Sequence, residues 1–371
     1  VDKRAIIGIA VIVVAIGVSM TLTLQTFDAA LNAVITNQKI GLVINPPTSS
    51  PDSKTISDIY AQAASTGIGR SNVYMFWDMV EPERGEFDWR QSDILMSLNK
   101  NNNLKVTLYF SLINGKILGP FPDWMGSPSL VSVEGEQVAR TLDAILTRYH
   151  IIDSVVIAGD ADEHFRYSEQ DIPAYRDLFE GVYAELKPKH PDVRFGNMYS
   201  LHGIINKDLG HIVAGLDVGD FVGFTYFPVD SLNEITKTPE EARQDLEYAV
   251  RLANGTKVAF FEVSWSTSGF VNGSEEDQRR FVSDAFDFYR QNHEEIEFLT
   301  WYRQYDRPEG SCTVAALGEN TVTPGDGLGL GGSEHVIERL NNYVCGAGLV
   351  RADGVPKPAW NEFDAQVSQS Y

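Results

Sequence analysis

Short apolar runs bounded by turn residues alternate, along most of this chain, with longer stretches in which apolar positions recur every three or four residues. The runs predict strands at 39–44, 71–76, 104–110, 154–158, 193–198, 221–226, 257–262 and 297–302, because a strand buried on both faces reads as a nearly continuous apolar run. Segments 137–149, 172–186, 240–253 and 276–292 carry the helical period and predict amphipathic helices between strands. Strands alternating with helices run parallel, and eight such units close into a (β/α)8 TIM barrel. A chain of 371 residues accommodates this as one domain over 39–371, with a short linking helix expected at 25–38.

The first twenty-four residues follow a different pattern. Lys3 and Arg4 precede an uncharged stretch from Ala5 to Leu24, long enough to cross a bilayer as a helix with its basic flank inside. Two readings stay open for 1–24: a retained membrane anchor, or a signal peptide removed near small residues such as Ala29 and Ala33. Both place the body outside the cytoplasm. Cys312 and Cys345 are the only cysteines, and an even pair in an exported chain predicts a disulfide. Asn254-Gly255-Thr256 and Asn272-Gly273-Ser274 are glycosylation sequons in polar loops.

Charge narrows the partners. A formal net charge of −21 disfavours nucleic acid, whose phosphates need a basic surface, and favours a neutral or cationic partner. The two cysteines and seven histidines offer no zinc-site spacing, so no metal or cofactor is expected, and His202 and His211 read as surface or capping residues. Gly327-Leu-Gly329-Leu-Gly331-Gly332 fits a dinucleotide-loop pattern but follows no strand, which removes the context that gives the pattern meaning. The informative charge is Glu262, which ends the run Val258-Ala259-Phe260-Phe261. A carboxylate at the C-terminal tip of a buried strand is costly to desolvate, and in a (β/α)8 barrel that end carries the chemistry.

Trp77-Asp78-Met79-Val80-Glu81-Pro82-Glu83-Arg84-Gly85-Glu86-Phe87-Asp88-Trp89 resembles the W-x-x-x-E-P-x-x-G-x-F-D-W segment after the second strand of clan A glycoside hydrolases, the retaining β-glycosidase barrels. Phe224-Thr225-Tyr226-Phe227-Pro228 is similar to their sixth-strand motif, Phe261-Glu262-Val263-Ser264-Trp265-Ser266-Thr267-Ser268 to their seventh, and Gly354-Val355-Pro356-Lys357-Pro358-Ala359-Trp360 to the start of their last helix. The resemblance spans about residues 39 to 365 in order.

It implies a retaining glycosidase or transglycosidase acting on a β-linked glycan, with Glu262 as nucleophile and Tyr226 donating a hydrogen bond to it. The fourth-strand acid falls on Asp160 within Gly159-Asp160-Ala161-Asp162-Glu163-His164, or on Glu163 if the loop turns inward. Three positions depart from the family pattern. Asp160 is one methylene shorter than the family's Glu, Gly159 stands in place of an Asn, and Val73-Tyr74-Met75-Phe76-Trp77 lacks an Arg. The alternative is therefore a catalytically impaired barrel that binds glycan or serves as a surface scaffold, including as a subunit of a membrane assembly. Trp77, Trp265, Trp301 and Tyr302 fall at or just past strand ends, where rings can stack on pyranose faces, and Pro122-Asp123-Trp124 offers an outer subsite.

Overall fold

The computed structural model describes residues 36–48, 50–216, 218–308 and 334–370. The segment 1–24 therefore lies outside the described residues, as do Cys312, with the expected disulfide to Cys345, and the glycine-rich run at 327–332. Among the described residues no helix is long and apolar enough to cross a membrane.

Eight parallel strands close on themselves: β1 (Asn37–Leu42), β2 (Ile68–Tyr74), β3 (Lys105–Asn114), β4 (Ile152–Gly159), β5 (Arg194–Ser200), β6 (Phe221–Tyr226), β7 (Lys257–Val263) and β8 (Ile296–Trp301). Each pairs with its sequence neighbours, and β8 returns to β1 through Ile40–Leu299, Gly41–Thr300 and Leu42–Trp301. A two-residue strand, Ile117–Leu118, folds back antiparallel on the end of β3. The helices α1 (Ser53–Ser65), α2 (Arg90–Asn101), α3 (Gly135–Arg148), α4 (Ile172–Leu186), α5 (Leu201–Lys207), α6 (Pro239–Leu252), α7 (Glu275–Gln291), α8 (Glu334–Cys345) and α9 (Pro358–Val367) surround the barrel.

All eight expected strands are present, and the four expected helices lie within two residues of their bounds. The largest shifts are at the end of β3, which runs to Asn114 rather than 110, and at the start of β2, which begins at Ile68 rather than at 71 because Arg70 is an inward barrel residue. Arg70 donates to Thr107, Ser154 and the backbone of Gln38, pairs with Asp153 at 2.6 Å and lies over the Phe298 ring. Of the linker helix expected at 25–38, residues 25–35 lie outside the described residues, and Asn37 and Gln38 belong to β1.

Apolar side chains fall into two layers. Phe76, Tyr109, Val156, Met198, Phe221, Ala259, Phe261 and Phe298 fill the barrel interior, with Tyr74 against them. The larger layer lies between strands and helices. Alternation along each strand decides which layer a side chain joins.

Candidate active site

Alternation would send Glu262 outward, since Ala259 and Phe261 already face in. A bulge prevents this. Phe224 pairs with Phe260, but the next pair is Thr225 with Glu262, so β7 carries one extra residue at this point. The pairing with β8 slips at the same place, from Phe260–Leu299 to Val263–Trp301. Bulges re-aim side chains in this way, and here both Phe261 and Glu262 reach the interior.

Glu262 is 3% exposed and accepts a hydrogen bond from the Tyr74 hydroxyl. Burial pushes its carboxyl up to about 8; the Tyr74 bond pulls it down, the Asp160 charge adds to the rise and the Arg303 guanidinium offsets part of it. Asp160 follows β4 and is buried, with its carboxylate accepting from Thr225 Oγ1 at 2.9 Å. Burial lifts it to about 6, against the Thr225 bond, with Glu163 adding to the rise and Lys207 opposing it. The Asp160 charge after β4 thus raises the proton affinity of Glu262 on β7 across the barrel mouth.

Asp160 has φ 45° and ψ 46°, the left-handed region at the turn from β4 into the single helical turn Ala161–Phe165. Asp tolerates that conformation better than longer acids do, which accounts locally for Asp rather than Glu. The Gly before it has an equally local cause. A Cβ at Gly159 would overlap Tyr109 Oη and crowd the Tyr109 ring. Tyr109 reaches in from β3, donates to Asn114 Oδ1 and feels the charges of both Asp160 and Glu262. Tyr302 completes the ring of phenols, buried against Phe227 with its hydroxyl held up by burial and by Glu262.

Several expected site residues lie elsewhere. Tyr226 does not touch Glu262. Thr225 takes the inward position, so Tyr226 points out and donates to Asp245 on α6 at 2.6 Å. Trp77 is 2% exposed, and its indole donates to Glu81 at 2.9 Å. Glu81 also accepts from Gly85 N–H, Thr141 and Arg140, so the Trp-to-Gly motif is a loop clasp centred on one carboxylate. Gly85 takes φ +82° to turn its N–H into that clasp. Trp265 and Trp301 both pack on Phe281 of α7, at ring distances of 5.3 and 5.8 Å, in the layer between barrel and helices. None of these three indoles presents a face to a ligand. Trp124 is partly buried and donates to the Glu81 carbonyl at 3.1 Å, tying two loops together.

Glu163 is buried but engaged, held by Arg166 at 3.2 Å and by Lys207. His202 is buried and stacked on Phe227, where burial lowers it to about 3 and keeps it neutral, so it is not a surface residue. His211 is exposed and pairs with Glu169 at 3.1 Å. Asn254 and Asn272 are exposed with φ of 48° and 61°, positive values that Asn adopts readily, and Ser274 caps α7. Tyr74, Tyr109, Thr225 and Arg303 are the site residues that pattern reading missed. Parity was the available signal, since a strand residue two before or after a known inward residue shares its face.

No family model matches the chain, and no curated protein matches it in sequence. Solved structures do match in fold. The eight-stranded barrel is a fold this chain shares with solved glycoside hydrolases. A GH5_18 protein from Streptomyces cattleya, in complex with Manβ1-4GlcNAc, superimposes with TM-score 0.65 at 15% identity over 89% of this chain and 80% of its own. A family 39 glycoside hydrolase from Bacteroides cellulosilyticus gives 0.59 at 16% identity, over 90% and 64%. An exo-β-1,4-mannosidase from an Opitutaceae bacterium gives 0.62 at 14% identity, over 89% and 59%.

Proposed function

We propose that the protein is a retaining glycoside hydrolase or transglycosidase acting on a β-linked glycan outside the cytoplasm, held there by the N-terminal apolar segment or released after its cleavage. The observation that carries this reading is the convergence of Glu262 at the end of β7 and Asp160 after β4, two buried carboxyls near enough that the Asp160 charge raises Glu262, in a barrel shared with glycoside hydrolases of several families. Glu262 attacks the anomeric carbon while Asp160 protonates the departing oxygen; Asp160 then takes a proton from the water or acceptor sugar that releases the glycosyl ester. Tyr302 lies beside the nucleophile and remains a candidate contact for the sugar, whereas Glu163, already committed to Arg166 and Lys207, is the weaker acid candidate.

An activated 2-fluoro glycoside should form a covalent adduct on Glu262, located by mass spectrometry. Asp160→Ala should lower turnover of natural β-glycans by about a hundred- to ten-thousand-fold while sparing activated aryl glycosides. A label on another residue refutes the nucleophile assignment. The same substrate pattern from Glu163→Ala moves the acid to the loop. One observation favours a second reading, a barrel that binds glycan without cleaving it. With its carboxyl pushed up to about 8, Glu262 is largely protonated at neutral pH in the free protein, and a protonated carboxyl does not attack. Binding across a glycan panel with no adduct and no turnover selects that reading.

A further inference from the structure

Two buried arginines in this barrel have opposite surroundings. Arg70, at the base, has its guanidinium bonded to Thr107, Ser154, Asp153 and a backbone carbonyl. Arg303, at the mouth, is equally buried at 3% exposure, yet its Nε has no hydrogen-bond partner. Among the described residues no carboxylate lies within ion-pair distance of it. A guanidinium taken out of water with no paired carboxylate among the described residues carries a desolvation cost.

Its position is defined by the strand ends. Tyr302 N–H donates to the Val263 carbonyl at 2.9 Å, which fastens the end of β8 to the residue that follows Glu262. Arg303 comes next, with its guanidinium carbon 5.5 Å from the Tyr302 ring centre. The acids nearby are already occupied. Asp306 is held by Lys357 Nζ and by Gly348 N–H, both at 2.8 Å, and Glu262 by Tyr74. A second cation, Arg307, stands close enough that the two guanidinium charges repel each other, an arrangement at odds with a chain of net charge −21.

We propose that Arg303 reads an anionic substituent on the substrate, so that the sugar seated beside Glu262 is an acidic one, such as a uronic acid. This rests on the glycosidase reading and adds its substrate class. An arriving carboxylate supplies the missing partner, and the planar fork of Arg matches it with two parallel bonds. The competing role for Arg303, holding Glu262 ionised, would serve neutral and acidic sugars alike.

Ligand-observed NMR titration separates the two. The intact protein is titrated with glucuronate, galacturonate, mannuronate and glucose 6-sulfate, and with glucose, galactose and mannose as neutral counterparts. At low ionic strength at least one acidic sugar should bind about tenfold or more tightly than its neutral counterpart, a preference that shrinks as salt rises. Arg303→Gln should bring the acidic-to-neutral ratio close to one, and Arg303→Lys, which keeps charge but loses the fork, should fall between. If Arg303→Gln does not fold, the salt dependence in the unaltered protein and Arg303→Lys decide. Glucose 6-sulfate distinguishes a reader of any anion from a reader of carboxylates. Neutral sugars bound with no acidic preference, or a preference that survives Arg303→Gln, overturn this inference and leave the glycosidase reading standing. No binding of any sugar overturns both.

Discussion

Glu81 and Glu262 are both fully buried at the same end of the barrel, yet their surroundings drive their titration in opposite directions. Burial raises Glu81, but donors from Trp77, Gly85, Thr141 and Arg140 together bring it below its ordinary value. Glu262 has the Tyr74 hydroxyl as its bonded donor, and burial wins, up to about 8. Loss of solvent contact alone therefore says little about role, because Glu262 lies deeper in the barrel and desolvation weighs more on it. The number of donors separates a carboxylate that fastens a loop from one left with proton affinity and lone pairs to use.

The largest test of that contrast removes the satisfied member. Glu81→Ala orphans the buried donors of Trp77, Thr141 and Gly85 at once, and should cost about 3 to 5 kcal/mol in denaturant unfolding, as breaking buried polar networks does. A loss below about 1 kcal/mol would mean that the clasp does not hold the loop.

Glu262→Gln should do the reverse. A carboxyl whose folded value lies above its ordinary 4.5 contributes its full stability below that value and loses it as pH climbs through about 8. Glu262→Gln should therefore raise stability at pH 8 by on the order of a few kcal/mol, with the gain vanishing below about pH 4, as read from Tm or unfolding free energy across that range. Glu81 carries the opposite sign, since its depressed value makes its contribution present above 4.5 and lost as pH falls below it. A Glu262→Gln gain that does not change with pH would show that Glu262 is not the titrating group.

The smallest effect sharpens the comparison from the other side. Tyr74→Phe takes away the donor bonded to Glu262 and should move its titration upward by about one unit, followed by carboxyl NMR or by the pH dependence of labelling. No movement, or a downward one, would mean that the hydrogen bond is not made in solution.

The barrel was legible because eight apolar runs and the helical periods between them are long-range regularities, and no single residue decides them. The strand end carrying Glu262 was legible for the same reason. Its partners were not. Tyr226 was expected beside Glu262 because it lies next to Thr225 in a matching motif, yet that one-residue offset sends it to α6. The bulge that turns Glu262 inward is visible only in the pairing of β7 with β6 and β8. Trp77, Trp265 and Trp301 sit near strand ends in sequence, but strand parity and the clasp on Glu81 commit them to the outer layer. Arg70 shows the converse, a charged residue inside a strand that a hydrophobic reading excludes and a polar barrel floor accepts.

Gly159 and Tyr109 occupy one another's space. A side chain cannot be introduced at 159 by one substitution, because a Cβ there collides with the phenol arriving from β3. Trimming Tyr109 first opens a void among Tyr74, Phe76 and Phe261. Each single step is a loss, and only the joint replacement has a route to gain. The two positions are sterically coupled, so libraries built on this scaffold should vary 109 and 159 together.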